Sequence, residues 1–219
     1  MLVRSSQLIR VLLLVASAAV AGLDWQTTLQ EIKVHPLQAS AVVTFGFTNA
    51  GSNVVNILDI TSDCGCISGN VENKTFAPGE SGAVTVTFDI GNRTGLQSKK
   101  LLVMTDDKAA LPVHLTVSTT IPKAYDVSPK RLTWVGEQLG SQSFTLINVA
   151  KTPFRIEKAV SSSEGISLEL KPIREGFEYE LVVTPDAKMG KGLAPIIIYP
   201  EKPEGIEKVR TYTVYAMVL

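Results

Sequence analysis

From about residue 40 onward the apolar residues of this chain recur at every second position, and that period constrains the fold more than any other feature. Val84, Val86, Phe88 and Ile90 alternate with Thr85, Thr87 and Asp89, and Leu111, Val113, Leu115 and Val117 alternate with Pro112, His114, Thr116 and Ser118. Ile166, Leu168 and Leu170, then Phe177, Tyr179, Leu181 and Val183, repeat the pattern. A period of two sends alternate side chains to opposite faces of a strand, so these segments are expected to be half-buried antiparallel strands. Turn signals separate them at short intervals: Asn49-Ala-Gly51, Pro78-Gly79, Gly91-Asn92, Thr94-Gly95, Asp106-Asp107, Glu164-Gly165, Glu175-Gly176 and Pro203-Glu-Gly205. Many short strands at this spacing predict an all-β sandwich architecture, and 219 residues suffice for one large or two ordinary domains.

Internal similarity favours two. Phe47-Thr-Asn49-Ala-Gly51 is matched by Leu146-Ile-Asn148-Val-Ala150, and Ile57 and Ile156 each follow their asparagine at the same interval. Leu23-Asp-Trp25 is read as the partner of Leu132-Thr-Trp134, which makes the first copy longer between Trp and Asn by about ten residues, a surface insertion of the kind such folds accept. The expectation is therefore two tandem immunoglobulin-like sandwiches, residues 22–121 and 122–219, with the boundary at Ile121-Pro122-Lys123 because a proline ends a strand ladder. One continuous sandwich is the alternative. Residues 26–34 fit a helical turn or an edge strand. Pro195-Ile-Ile-Ile198-Tyr199-Pro200, framed by prolines, reads as an edge strand able to accept a strand from another protein.

The first 21 residues carry a basic start with Arg4 and Arg10, the apolar run Val11-Leu-Leu-Leu-Val15 and the small-residue end Ala19-Val20-Ala21. This is the layout of a Sec-type signal peptide cut before Gly22, and the apolar run is too short to span a bilayer as a helix. It predicts a periplasmic or secreted protein with no stable membrane span after cleavage.

Composition narrows the function. A 45% apolar, 19% charged chain is globular, and a formal net charge of zero gives no electrostatic footprint for a phosphate backbone, so no nucleic-acid partner is expected. Two histidines cannot build a multi-His metal centre. No Gly-x-Ser-x-Gly elbow is present and neither His35 nor His114 has an acidic neighbour in sequence. Gly91-Asn92-Arg93-Thr94-Gly95 lacks a following Gly-Lys-Ser/Thr and reads as a hairpin turn, and Asp106-Asp107 reads as Asx turns rather than calcium ligands. No catalytic residues are expected, and the chain is read as non-enzymatic.

Cys64-Gly65-Cys66 is the one feature with evident chemical potential. An even cysteine count in an oxidising compartment favours a disulfide, yet a bridge across one residue closes almost no chain, so it would be local, weakly stabilising and readily reduced. Two thiolates one residue apart can also chelate Cu(I), the only cofactor the residues suggest, with Cys64 and Cys66 as ligands. Thiol–disulfide exchange is the third reading. At the matching place in the second copy stands Ser163.

Phe45-Gly-Phe47-Thr-Asn49-Ala-Gly51, Ile57-Leu-Asp-Ile60, Ser62-Asp-Cys64-Gly-Cys66, Pro78-Gly79-Glu80, Val84-Thr-Val86-Thr-Phe88-Asp89, Arg93-Thr-Gly95 and Thr105-Asp-Asp107 together resemble the bacterial exported family of unknown function number 1573. That family is similar to the immunoglobulin-like domains of major sperm protein, papD-type chaperones and cilia-associated proteins. The resemblance covers roughly residues 40–120, implies a seven- or eight-stranded sandwich with Phe45, Phe47, Asn49, Gly51, Pro78 and Gly79 as its signature, and leaves activity undefined. The expected function is a binding or scaffolding module of the bacterial envelope that acts on another envelope protein through loops and sheet edges. Metal or thiol handling at Cys64 and Cys66 is the alternative.

Overall fold

The computed structural model describes residues 22–136 and 139–219, so the expected signal peptide lies outside the described residues. Residues 23–121 form two facing sheets. One has the strand order β1 (Leu23–Trp25), β3 (Ser40–Asn49), β7 (Ser81–Asp89), β5 (Ile67–Asn70). The other runs β2 (Leu29–Glu31), β9 (Val113–Ile121), β8 (Gly95–Thr105), β4 (Val55–Ser62), β6 (Thr75–Phe76). Residues 125–218 repeat this plan, with β10 (Tyr125–Ser128), β12 (Gln142–Asn148), β15 (Glu178–Pro185), β14 (Ile166–Arg174) in one sheet and β11 (Arg131–Trp134), β17 (Tyr212–Val218), β16 (Gly192–Pro200), β13 (Ile156–Ser161) in the other. Pairs are antiparallel except β2 with β9 and β11 with β17, which are parallel. No helix among the described residues is long and apolar enough to cross a membrane.

The period of two decides which faces meet. Along β7 and just beyond it, Val84, Val86, Phe88 and Ile90 are buried while Thr85, Thr87 and Asp89 are exposed. In β15, Tyr179, Leu181 and Val183 point into the second core. Aromatic contacts close one end of the first core: Phe47 meets Trp25 and Phe76, each at 4.8 Å between ring centroids, the second pair edge-to-face. Each such pair contributes about 1 kcal/mol beyond its area burial. Gly82 lies opposite Phe47 in the β3–β7 ladder. A methyl there would stand 2.7 Å from Phe47 Cζ and closer still to the Phe76 ring, so the position is glycine because two rings fill the space.

Four expectations change in three dimensions. Trp25 and Trp134 are not equivalent: β1 pairs with β3 beside Asn49, as β10 pairs with β12 beside Asn148, so Leu23-Asp-Trp25 corresponds to Tyr125-Asp-Val127. Trp134 lies on β11, the counterpart of β2. The two intervals, Leu23 to Asn49 and Tyr125 to Asn148, then differ by three residues rather than about ten. The segment 195–200 is not an edge, because β16 lies between β17 and β13 with Pro195 opposite Tyr215 and Pro200 opposite Ile156; Pro195 stands one residue outside the β13 pairing, which begins at Ile196, and Pro200 ends the strand, so the prolines bracket the β13 ladder rather than interrupt it. Gly91–Gly95 is not a hairpin but a crossing, since β7 and β8 belong to different sheets. Leu111 is exposed and lies outside the strand, which begins at Val113.

The two sandwiches meet along residues 34–39. Val34 packs in the first core, whereas Leu37, fully buried, packs in the second. Backbone bonds from Ala39 N to Lys208 O and from Arg210 N to Leu37 O, each 2.9 Å, and a bridge between Gln38 and Val209, tie this segment to the chain entering β17. His35 stacks edge-on against Phe154 at 5.1 Å, and its Nδ1 accepts the Leu37 amide. Burial, reinforced by the positive charge of Arg210, pushes the His35 pKa down.

Candidate functional site

The signature residues of the first sandwich converge on one asparagine. Asn49 ends β3 and is fully buried. Its Nδ2 donates to Asn53 O (2.8 Å) and Phe76 O (2.9 Å), and its Oδ1 accepts from Gly51 N (3.0 Å). The backbone of Asn49 donates to Glu80 O and accepts from Gly79 N. Gly79 takes a left-handed conformation, φ +80°, after Pro78, which turns the chain so that this amide reaches Asn49. Phe45 and Phe47 anchor the same strand in the core. These six residues hold the β3–β4 and β6–β7 connections together; their geometry is that of a clamp, not of a reacting centre.

The cysteine pair sits between β4 and β5, where the chain passes from one sheet to the other. The two sulfurs are bonded to each other, and the Cα atoms stand 5.3 Å apart. Cys66 is buried in the first core and its carbonyl accepts the Asp89 amide at 2.8 Å, while Cys64 is half-buried and its carbonyl accepts the Ser62 hydroxyl at 2.9 Å. A Cβ built on Gly65 would meet no heavy atom within 4 Å, so the loop faces open space at that residue. Once bonded, neither sulfur is a thiolate, and chelation of Cu(I) by this pair requires prior two-electron reduction. Among the described residues no three His, Cys, Asp or Glu side chains gather at one point. His114 is exposed on β9 and His35 is held at the seam. In the second sandwich the corresponding loop carries Ser163, whose amide donates to the Ser161 hydroxyl.

Asp106 and Asp107 act separately. Asp107 Oδ1 accepts the Ala109 amide in an Asx turn, whereas both carboxylate oxygens of Asp106 accept from Asn56, through its amide and its Nδ2, at 2.7 Å each. Those bonds hold the Asp106 pKa low.

The fold and this clamp define a chain of two tandem immunoglobulin-like β-sandwiches. Residues 23–121, the first sandwich, match the family described as "Protein of unknown function (DUF1573)". No curated protein matches. Among solved structures, the chain is similar to the Vibrio cholerae VesB protease (17% identity, 45% of this chain and 31% of that one, TM-score 0.38). It is also similar to a protein of unknown function from Porphyromonas gingivalis W83 (12% identity, 90% of this chain and 100% of that one, TM-score 0.35). A third is the YadV chaperone (10% identity, 88% and 98%, TM-score 0.36). The matched part spans less than a third of the VesB chain.

Proposed function

We propose that this chain is exported through its N-terminal signal sequence and serves, without catalysis, as a binding or scaffolding module of the bacterial envelope that recognises another envelope protein by adding a strand to an open sheet edge. The observation that carries this reading is β14. It is the longest edge strand among the described residues, paired with β15 along Ile166–Arg174 and open on its other side. Its far end is blunted by Pro172, by a register shift between Pro172 and Arg174 and by the Lys171–Glu169 ion pair at 3.0 Å, devices that discourage indiscriminate pairing. Residues 166–170 remain as a stretch of about five whose unpaired amides and carbonyls suit β-augmentation. A photo-crosslinking residue at exposed Ser167, compared in the native periplasm with one at exposed Lys202, tests it. A discrete protein adduct at Ser167 alone is expected; equal labelling at both sites sets the reading aside.

A second reading, thiol–disulfide exchange or Cu(I) handling at Cys64 and Cys66, is favoured by a half-buried Cys64 in a bridge that spans one residue. A pair that resists reduction by excess glutathione and, once reduced, takes up no Cu(I) removes it.

A further inference from the structure

The geometry points to an oxyanion-binding cleft at the junction of the two sandwiches, centred on Arg210. This residue is 5% exposed, and its guanidinium donates to two backbone carbonyls, Nη1 to Arg93 O at 2.9 Å and Nη2 to Pro122 O at 3.0 Å. Both acceptors are neutral. Its Nε has no partner, and no carboxylate stands within ion-pair distance among the described residues. A buried guanidinium that keeps its charge at every accessible pH and meets no counter-charge is costly unless an anion completes it. The Tyr212 hydroxyl is buried beside the guanidinium, near enough for Arg210 to counter part of the upward push that burial gives its pKa, yet it makes no well-formed hydrogen bond.

These groups line a cleft of about 310 Å³, the lower end of the range for small-ligand sites. Its walls come from both sandwiches: Asn92 and Thr94 from the β7–β8 crossing, Tyr125, Val127 and Val214 from the second. Lys123 and Lys130 line it as well, sharing the single carboxylate of Asp126 at 2.9 and 3.3 Å. No acidic residue lines the cleft, and two lysines against one aspartate leave a surplus positive charge beside the buried arginine. The arrangement suits a small organic anion whose carboxylate or phosphate group meets the cations while its apolar body lies on the Tyr125 and Val214 wall. Because the cleft draws on both sandwiches beside the Arg210 seam, its occupant would also stiffen their junction.

The test uses the mature chain, titrated with inorganic phosphate and with benzoate at constant ionic strength in chloride, followed by calorimetry and by amide shifts of residues 123–127 and 210–214. Saturable one-to-one binding of either probe is expected, weakened about tenfold in the Lys123→Gln/Lys130→Gln variant, as loss of charge-assisted bonds predicts. Stronger binding of benzoate assigns the carboxylate source, stronger binding of phosphate the phosphate source. Arg210→Gln is expected to abolish binding but risks loosening the seam, so Tyr212→Phe, which removes one hydroxyl and leaves the ring, serves as the second variant and should weaken binding several-fold. Shifts that never saturate, or saturate equally in the lysine variant, overturn the site.

Discussion

Asn49 and Asn148 make the same three side-chain hydrogen bonds at the same point of the two sandwiches: each Nδ2 donates to the carbonyl four residues on, at 2.8 Å, and to a second carbonyl, Phe76 O or Gly176 O, while each Oδ1 accepts the amide two residues on. Both side chains are buried, at 0% and 6% exposure. The repeat is thus carried by a hydrogen-bonding role, and its neighbours differ freely: Gly51 is answered by Ala150.

Replacing either asparagine with alanine removes a donor from each of two carbonyls and leaves the amide two residues on without its acceptor, although Gly176 O keeps the Phe154 amide. We expect Asn49→Ala and Asn148→Ala each to cost about 3 kcal/mol. Asn49→Asp should be worse near neutral pH, because it sets a carboxylate against two carbonyl oxygens. Urea denaturation of the single variants measures both effects.

Gly82→Ala tests the packing of the Phe47–Phe76 end of the first core. The added methyl overlaps both rings, and neither can retreat without opening the edge-to-face contact. A loss of about 1–3 kcal/mol is expected, against less than about 0.5 kcal/mol for Gly65→Ala, whose Cβ has open space and an ordinary backbone angle.

The cysteines should separate by burial and not by the bond they share. A bridge over one residue constrains little of the unfolded chain, so Cys64→Ser should change stability by less than about 1 kcal/mol. Cys66→Ser puts a hydroxyl into the first core and should cost about 1–3 kcal/mol. Melting curves of both variants with and without reductant check the order.

His35 gives the seam a pH dependence of known sign. Its pKa is depressed in the folded chain by burial and then by Arg210, below the usual value of 6.5. The unfolded chain therefore takes up the proton first. Above pH 6.5 the neutral ring carries no penalty, and stability is lost as the pH falls from 6.5 toward the depressed value, then levels. Protonation at Nδ1 also removes the acceptor of the Leu37 amide. In His35→Asn, a side chain that can still accept that amide, this part of the slope should be missing, so the difference between the parent and variant stability-versus-pH curves should carry it; parallel curves would rule the assignment out.

Much of this protein is legible in its sequence because the relevant physics is local. A period of two in Val84–Ile90 fixes which side chains face the core, and Pro78-Gly79 fixes a turn, whatever the rest of the chain does. The equivalence of Asn49 and Asn148 follows from spacing to Ile57 and Ile156. What spacing cannot give is pairing partner. Leu132-Thr-Trp134 looks like Leu23-Asp-Trp25, yet it runs parallel to β17 while the other runs antiparallel to β3; both strands bury apolar residues, and only the neighbour on the sheet distinguishes them. Pro195–Pro200 looks like an edge because its prolines lack amides, and is central because β13 and β17 arrive on either side. Arg210 carries no signal at all in Val209-Arg210-Thr211. Its burial, its two carbonyl partners more than eighty residues away and its missing counter-charge exist only once residues 34–39 dock the sandwiches. Alternation along a strand is written in consecutive residues, whereas a site between two cores is made by contacts between residues far apart in the chain.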